Sequence, residues 1–295
     1  MFICLRAGRL LVSVLTAAAV AAAGAVCFAA SDAFGALQRT QADAQEEGVK
    51  LPVIMYHSVL KERQRLGTYV VSPDTVESDI RYLSEKGYQT VTIEDLLEYV
   101  DRGVPLPPKP VMLTFDDGYY NNYTYVYPLA KKYGIKVVIA PVGLYTDSFT
   151  KNDADHTAYS YLTWGEVAEM SDSGFVEIQN HSYNLHESKG RLGASKKAGE
   201  SAAAYTALLE KDLRQMQDAV EEHTGRAPTA FVYPFGAVSD ESIPVVKEIG
   251  FRASLTCRGR INIITKDPEC LYGLGRFLRP WGIPTWEYFR KIGVT

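Results

Sequence analysis

The stretch Val111-Met112-Leu113-Thr114-Phe115-Asp116-Asp117-Gly118 decides the fold prediction. A continuous apolar run of this kind predicts a strand that is buried on both faces, as in the parallel sheets of α/β proteins. The two carboxylates follow where the strand would leave the sheet, which is where α/β proteins place their ligands. Neighbouring aspartates repel each other unless a cation or a shared proton relieves the charge. A solvated turn is the alternative, because Asp-Gly is also a common turn sequence.

The composition predicts a globular protein and argues against a nucleic-acid function. The 295 residues are 46% hydrophobic and 22% charged, enough for one large α/β domain or two small ones. The net charge of -4 and the isoelectric point near 5.8 do not fit a nucleic-acid binder. The sequence contains no Cys-x-x-Cys pair, which argues against a thiolate zinc site. Cys257 and Cys270 could pair in an exported protein or remain free thiols.

Residues 1–30 have the pattern of an export signal. Arg6 and Arg9 precede an uncharged, mostly apolar run from Leu10 to Ala30, as in a signal peptide. The run is 21 residues long, so it would also serve as a retained membrane anchor. Both readings predict a protein that is secreted or anchored at the cell surface. The polar residues 31–50 are interpreted as a linker to a domain at 51–295.

From residue 51 onward, strands alternate with helices. Helical patterns end at Gly87, Gly134, Gly174 and Gly250, and an apolar strand pattern follows each glycine. Strands are predicted near 52–56, 89–91, 110–115, 136–140, 175–179, 229–233 and 252–256. About seven parallel strands predict a closed or nearly closed (β/α) barrel, with an open doubly wound sheet as the alternative. The sequence has no Gly-x-Gly-x-x-Gly or Walker pattern, so nucleotide binding has no support.

Polar side chains follow several of the predicted strands. His57 ends the first strand, the Asp116-Asp117 pair ends the third, and His181 and His186 follow the fifth. The carboxyl ends of parallel barrel strands meet at one face, so these side chains are expected to converge. Two imidazoles and one carboxylate are a common ligand set for a catalytic zinc ion. Because neighbours on an extended chain alternate in direction, one aspartate would bind the metal and the other would act as a general base.

The motifs resemble those of the polysaccharide deacetylases of the NodB-homology type, carbohydrate esterase family 4. The resemblance rests on the motifs Thr114-Phe115-Asp116-Asp117-Gly118, His181-Ser182 with His186, and Tyr233-Pro234-Phe235-Gly236. The opening Pro52-Val53-Ile54-Met55-Tyr56-His57 is also similar, and the resemblance covers most of 51–295. It implies an α/β fold, a distorted (β/α)7 barrel, with a divalent metal, usually zinc. It also implies hydrolysis of N-acetyl groups on an amino-sugar polymer.

The resemblance assigns roles residue by residue. Asp116 would be the base, and Asp117, His181 and His186 would be the metal ligands. The backbone N–H near Phe235 would help to hold the oxyanion. The partner would be an N-acetylated glycan, such as poly-N-acetylglucosamine or a peptidoglycan-like polymer. Tyr119 and Tyr233 are further candidates for contacts with that glycan.

The chain departs from the family pattern at three points. The two histidines are five residues apart rather than four, as in the branch that acts on poly-β-1,6-N-acetylglucosamine. The slot that usually carries an arginine beside the base holds Val232, so Arg276 or Arg279 is the candidate to orient Asp116. No late Leu-x-His motif is present, so His57 is the candidate general acid.

Two alternatives to N-deacetylation stay open at this level. One is a related metal hydrolase that acts on O-acetyl esters or on muramic lactam precursors. The other is an inactive glycan-binding module, because two family residues are missing from their usual places. The paired aspartates and paired histidines argue against the inactive module, since a binding module has no need of a base beside a metal.

Overall fold

The computed structural model describes residues 48–152 and 155–295. The predicted signal or anchor at 1–30 lies outside the described residues, as does most of the predicted linker. Residues 49 and 50 of that linker belong to the strand Val49–Leu51, which pairs antiparallel with Asn262–Ile264. No helix within 48–152 or 155–295 is both long and apolar enough to span a bilayer.

Seven parallel strands line the barrel in two hydrogen-bonded groups. They are β1 (Val53–Tyr56), β2 (Pro110–Asp117), β3 (Val137–Pro141), β4 (Val176–Ile178), β5 (Ala230–Val232), β6 (Ala253–Leu255) and β7 (Phe277–Leu278). The hydrogen-bonded order is β7-β1-β2-β3-β4, with β5 and β6 as a separate pair. Single bridges, Asn180 with Phe231 and Leu255 with Leu274, connect that pair to β4 and to the start of β7. The strands therefore form a nearly closed barrel, as the sequence predicts.

One predicted strand lies outside this ring, and one ring strand is missing from the prediction. Gln89–Thr90 pairs only with the first two residues of β2. The seventh position belongs to β7, which pairs with β1 through Phe277 and Leu278. A two-residue strand between arginines carries no periodic signal, so the pattern of the sequence could not reveal it.

Eight α-helices surround the described strands. They are α1 (Pro73–Glu85), α2 (Ile93–Arg102), α3 (Tyr127–Tyr133), α4 (Gly143–Asn152), α5 (Trp164–Asp172), α6 (Ala202–Thr224), α7 (Ser242–Ile249) and α8 (Thr285–Lys291). The remaining short elements are the strands Ser58–Val59 and Val70–Val71, the 3-10 turns Arg63–Arg65, Pro234–Gly236 and Pro268–Leu271, and the π-turn Asn122–Val126. Capping boxes at Thr92 and Thr163 begin α2 and α5.

The strands divide their side chains between two apolar layers. On β2 and β3, Met112 and Val138 face the barrel interior, while Leu113 and Ile139 pack against the surrounding helices. This is the two-residue period of a strand that is covered on both faces. At the amino end of the barrel, the buried side chains of α2 join the interior layer. The opposite end holds the polar residues described next.

Candidate active site

Three strand ends at the carboxyl face of the barrel carry the described non-glycine residues with positive φ. These are Asp117 at the end of β2 (φ 72°), Ser182 after β4 (φ 72°) and Phe235 after β5 (φ 57°). The left-handed region costs a residue with a Cβ roughly 1–2 kcal/mol. Such strain persists where the surrounding structure fixes it, and it clusters at functional sites. At Asp117 it ends the alternation along β2, so both adjacent carboxylates face the mouth of the barrel rather than opposite sides.

Asp117, His181 and His186 form one cluster. One ligand atom from each residue lies within 4.8 Å of the others. Nε2 of His186 is 3.0 Å and Nε2 of His181 is 3.4 Å from Oδ1 of Asp117. Yet this buried oxygen accepts no hydrogen bond of acceptable geometry within the described part of the chain. Nitrogen and oxygen atoms that approach without hydrogen-bonding fit a shared cation better than an ion pair.

The orientation of His181 supports this fit. Its Nδ1 lies 2.7 Å from the carbonyl oxygen of Val232 on β5. A hydrogen bond from Nδ1–H to this carbonyl leaves the lone pair on Nε2, which faces Asp117. This is the usual arrangement of a metal-binding histidine. Burial alone would lower the pKa of His186, but the Asp117 carboxylate raises it above its ordinary value.

Asp116 lies beside this cluster and is held by Arg276. The guanidinium donates two parallel hydrogen bonds, NH1 to Oδ1 at 2.7 Å and NH2 to Oδ2 at 2.8 Å. It also donates from Nε to the carbonyl of Thr256 and from NH1 to Thr114. Burial would raise the pKa of Asp116, but the guanidinium outweighs it and lowers the pKa. The carboxylate is therefore ionised and fixed in direction.

Arg279, the alternative partner for Asp116, does not reach it. Its guanidinium binds Asp79 on α1 through Nε at 2.8 Å and NH2 at 3.2 Å. Tyr56 and Thr285 also donate to this buried carboxylate. Arg276 and Arg279 are three residues apart across a strand, so their side chains leave on opposite faces. Arg276 enters the barrel mouth, and Arg279 clamps α1 to the outside of the sheet.

His57 completes the mouth from the end of β1. Its Nε2 lies 4.0 Å from Oδ2 of Asp116, and its side chain is 15% exposed. Burial lowers the pKa of His57, although the neighbouring aspartates oppose the shift. The imidazole is therefore neutral at pH 7. The ring of Tyr69 stands edge-on to it at 5.1 Å.

The aromatic residues that the sequence analysis proposed for the site differ in position. Burial beside the Asp117 carboxylate raises the pKa of Tyr119, whose ring stacks on Tyr161. The ring of Phe235 lies 4.6 Å from that of His186, and the residue is 45% exposed. Tyr233, predicted to contact substrate, points away from the mouth. Its ring is buried, and its hydroxyl pairs with Ser242 on α7.

Several residues around the mouth lie outside the sequence motifs. Tyr69, 59% exposed beside His57, comes from the loop after β1. Tyr145 on α4 stands edge-on to His186, and Tyr161 reaches the mouth from the segment between α4 and α5. Cys257 lies 3.9 Å from NH2 of Arg276. Cys257 and Cys270 are both free thiols rather than a pair.

The family model for polysaccharide deacetylases matches residues 103–254. The chain belongs to this family. The match includes the paired aspartates, both histidines and the turn at Phe235, while His57 and Arg276 lie outside it. Members of the family depend on a divalent metal, and the cluster of Asp117, His181 and His186 offers a matching donor set.

Two poly-β-1,6-N-acetyl-D-glucosamine N-deacetylases are similar to this chain over about two thirds of its length. Poly-β-1,6-N-acetyl-D-glucosamine N-deacetylase of Escherichia coli K12 is 29% identical over 219 residues, which are 67% of this chain and 32% of the relative. The enzyme of the same name from Staphylococcus aureus N315 is 28% identical over 204 residues, 68% of this chain and 64% of the relative. The chain thus spans about a third of the first relative's length and slightly less than two thirds of the second.

Solved structures share the fold of this family. A de-N-acetylase from Aggregatibacter actinomycetemcomitans superposes with a TM-score of 0.71 at 27% identity, over 82% of this chain and 99% of the other. IcaB from Ammonifex degensii superposes with a TM-score of 0.67 at 24% identity, over 84% and 97% of the two chains. These likenesses agree with the (β/α)7 barrel expected from the sequence motifs.

Proposed function

We propose that this polysaccharide deacetylase hydrolyses N-acetyl groups from an amino-sugar polymer, with poly-β-1,6-N-acetylglucosamine as the substrate class. The names of the Escherichia coli and Staphylococcus aureus relatives support this substrate. The five-residue spacing of His181 and His186 supports it as well. No observation favours an O-acetyl ester, a muramic lactam precursor or a purely binding role.

One observation carries the proposal. The buried, ionised carboxylate of Asp116 is fixed by Arg276. It lies beside the three possible metal ligands, among which the buried Oδ1 of Asp117 accepts no hydrogen bond within the described residues. A glycan-binding module has no use for a charged group held in this way, because burying it costs free energy. A hydrolase does, since a general base must be ionised and aimed at the water that attacks.

The residues divide the reaction between them. A divalent cation held by Asp117, His181 and His186 would polarise the acetamide carbonyl and make water more acidic. Asp116 would accept the proton of the attacking water. The backbone N–H near Phe235, in the left-handed turn after β5, would stabilise negative charge on the carbonyl oxygen.

His57 would return the proton to the departing amine. Because its imidazole is neutral at rest, it must receive a proton before it can donate one. Asp116, 4.0 Å away, is the neighbouring group that could supply this proton. The two residues would thus act in sequence, and the amine would leave in its neutral form rather than as an anion.

Zinc is the proposed metal, and the cell surface is the proposed location. Two imidazoles and one carboxylate, with further positions left for water and substrate, are typical of catalytic zinc sites. The proposal of export rests on the sequence of residues 1–30 alone.

Acetate release from a panel of glycans tests the proposal. The full chain is loaded with zinc and incubated with oligomers of β-1,6-linked N-acetylglucosamine, with β-1,4-linked oligomers and with acetylated xylan. Acetate should appear from the β-1,6-linked oligomers and should disappear when a chelator is added. Release from xylan alone would contradict the proposal, and so would zinc binding without acetate release from any glycan.

A further inference from the structure

The loop between the two histidines has no regular structure, yet each of its backbone N–H groups has a partner. Since His181 and His186 are five residues apart, a helical turn would not bring them to one side. Without a helix, the N–H groups of residues 182–185 need other acceptors, because buried unpaired donors are costly. Side-chain oxygens accept all of them.

Asp212 accepts two of these four hydrogen bonds. The residue lies on α6, 31 positions after His181 in the sequence. Its Oδ1 accepts from the N–H of Tyr183 at 2.9 Å, and its Oδ2 accepts from the N–H of Asn184 at 2.8 Å. The whole residue is 9% exposed, so this carboxylate is nearly buried.

The other two N–H groups are held locally. Asn180 accepts from the N–H of Ser182 at 2.8 Å and donates to the carbonyl of Leu213, the residue after Asp212. The hydroxyl of Ser182 accepts from the N–H of Leu185. Helix α6 therefore fixes the loop at two adjacent residues.

The carbonyl groups of the loop are fixed by a different helix. The first N–H groups of α4, those of Gly143 and Leu144, donate to the carbonyls of Ser182 and Tyr183 at 3.1 and 2.8 Å. The two helices thus hold opposite sides of the same peptide groups. The left-handed conformation of Ser182 is the backbone strain that these contacts must offset.

Only a carboxylate can serve at position 212. Two consecutive N–H groups point at one side chain, and each needs its own acceptor oxygen. An asparagine would offer one oxygen and would turn an N–H₂ group towards the second N–H. Burial raises the pKa of Asp212, although the two backbone donors oppose the shift. Burying a carboxylate is costly, and both oxygens of this one are bound to backbone N–H groups of the loop.

We propose that Asp212 is a positioning residue for the metal site. By fixing residues 183 and 184, it sets the distance and direction between the imidazoles of His181 and His186. Residues that hold metal ligands in place typically change metal affinity by 10–100-fold when they are lost. This inference rests on the metal site of the proposed function and extends it to a residue outside the sequence motifs that define that site.

Zinc affinity and the visible spectrum of the cobalt-loaded protein test the inference without any substrate. The variants are Asp212→Asn, which keeps the volume and one acceptor, and Asp212→Glu, which keeps both acceptors. Asp218→Asn, an exposed acid on the same helix, is the matched control. Asp212→Asn should raise the zinc Kd by about tenfold or more and should alter the cobalt bands. Asp212→Glu should recover part of the affinity, and the control should match the wild type.

The outcomes separate the inference from the proposed function. A zinc Kd within twofold of the wild type in Asp212→Asn, with unchanged cobalt bands, would show a purely structural role and overturn the inference, even if the metal-free variant unfolds at a lower temperature. If the wild type itself binds neither zinc nor cobalt, the proposed function fails and the inference fails with it. If the wild type binds zinc but releases no acetate from any glycan, only the proposed function fails, because affinity is measured without substrate.

Discussion

Both carboxylate oxygens of Asp116 accept hydrogen bonds from the guanidinium of Arg276, at 2.7 and 2.8 Å, across 160 residues of sequence. The guanidinium is fully buried, so solvent hardly weakens the pair. A pair of this geometry keeps the carboxylate both ionised and oriented. In the proposed function, Arg276 therefore determines the pH range in which Asp116 is a base.

Replacing Arg276 should move the acidic limb of the pH profile to higher pH. In Arg276→Gln the carboxylate of Asp116 stays buried but loses the cation that lowers its pKa, so we expect this pKa to rise. The base is then protonated at pH values where the wild-type base is still ionised. We expect kcat/KM to fall by about 100-fold or more at neutral pH. A pH series of acetate release measures both effects, and an unmoved acidic limb would contradict the role of Arg276.

Arg279 offers the matched control, because it forms a similar buried ion pair with Asp79, outside the mouth of the barrel. Breaking a buried ion pair by removing one partner typically costs about 3–5 kcal/mol. Arg279→Gln should therefore lower the free energy of unfolding by an amount in this range, since Asp79 and Arg279 are both almost fully buried. The acidic limb of the pH profile should stay in place. Urea unfolding gives the first quantity, and a pH limb that moved as far as in Arg276→Gln would contradict the distinction between the two arginines.

The sequence predicts the residues of contiguous motifs better than those that the fold brings together. Asp116, Asp117, His181 and His186 follow strands with strong apolar patterns, so their convergence follows from the parallel barrel. The choice between Arg276 and Arg279 depends on β7, a two-residue strand with no pattern of its own. Once that strand is known, the alternation of side chains selects Arg276.

Two further differences between the sequence prediction and the structure also come from contacts between distant elements. Tyr233 belongs to a family motif, but its direction is fixed by packing against α7 and by Ser242, which no local pattern reveals. Asp212 acts on the histidine loop from the middle of a long helix, where a buried acid resembles any other polar position. Local patterns therefore predict strand ends, while contacts between distant elements require the structure.

Loss of His57 should affect amides more than activated esters. An amine leaves only when it is protonated, whereas an aryl oxide leaves without a proton. His57→Gln should therefore reduce release of acetate from N-acetylglucosamine oligomers by about 100-fold, and hydrolysis of an aryl acetate by much less. His223→Gln, whose histidine stacks on Trp164 away from the mouth, is the control. Equal losses on both substrates would argue against His57 as the proton donor.

The two adjacent aspartates should separate metal binding from catalysis. Zinc that binds only the folded state raises its stability, by about 2.7 kcal/mol at a hundredfold excess over Kd. Asp116→Asn should keep this zinc-dependent rise in melting temperature and lose acetate release. Asp117→Ala should lose both, because a ligand is missing from the cluster. Thermal melts with and without zinc measure the difference, and a zinc-dependent rise in Asp117→Ala equal to that of the wild type would place the metal elsewhere.

Replacement by alanine should reduce stability and zinc binding more at Gly118 than at another glycine of the same backbone conformation. Gly118 and Gly134 both have positive φ, at 72° and 62°. A Cβ on Gly134 would meet nothing within 4 Å, so Gly134→Ala should cost only the left-handed conformation, about 1 kcal/mol. A Cβ on Gly118 would lie 2.6 Å from Cβ and 2.8 Å from Cα of Pro141, a backbone position that pairs with Asp117. Gly118→Ala must therefore displace the end of β2 or β3, and with it the carboxylate of Asp117.

We expect a larger loss of unfolding free energy in Gly118→Ala than in Gly134→Ala, together with weaker zinc binding, while Gly134→Ala keeps the wild-type zinc Kd. Equal stability losses and equal zinc affinities in the two variants would show that the close approach to Pro141 does not fix the metal ligand.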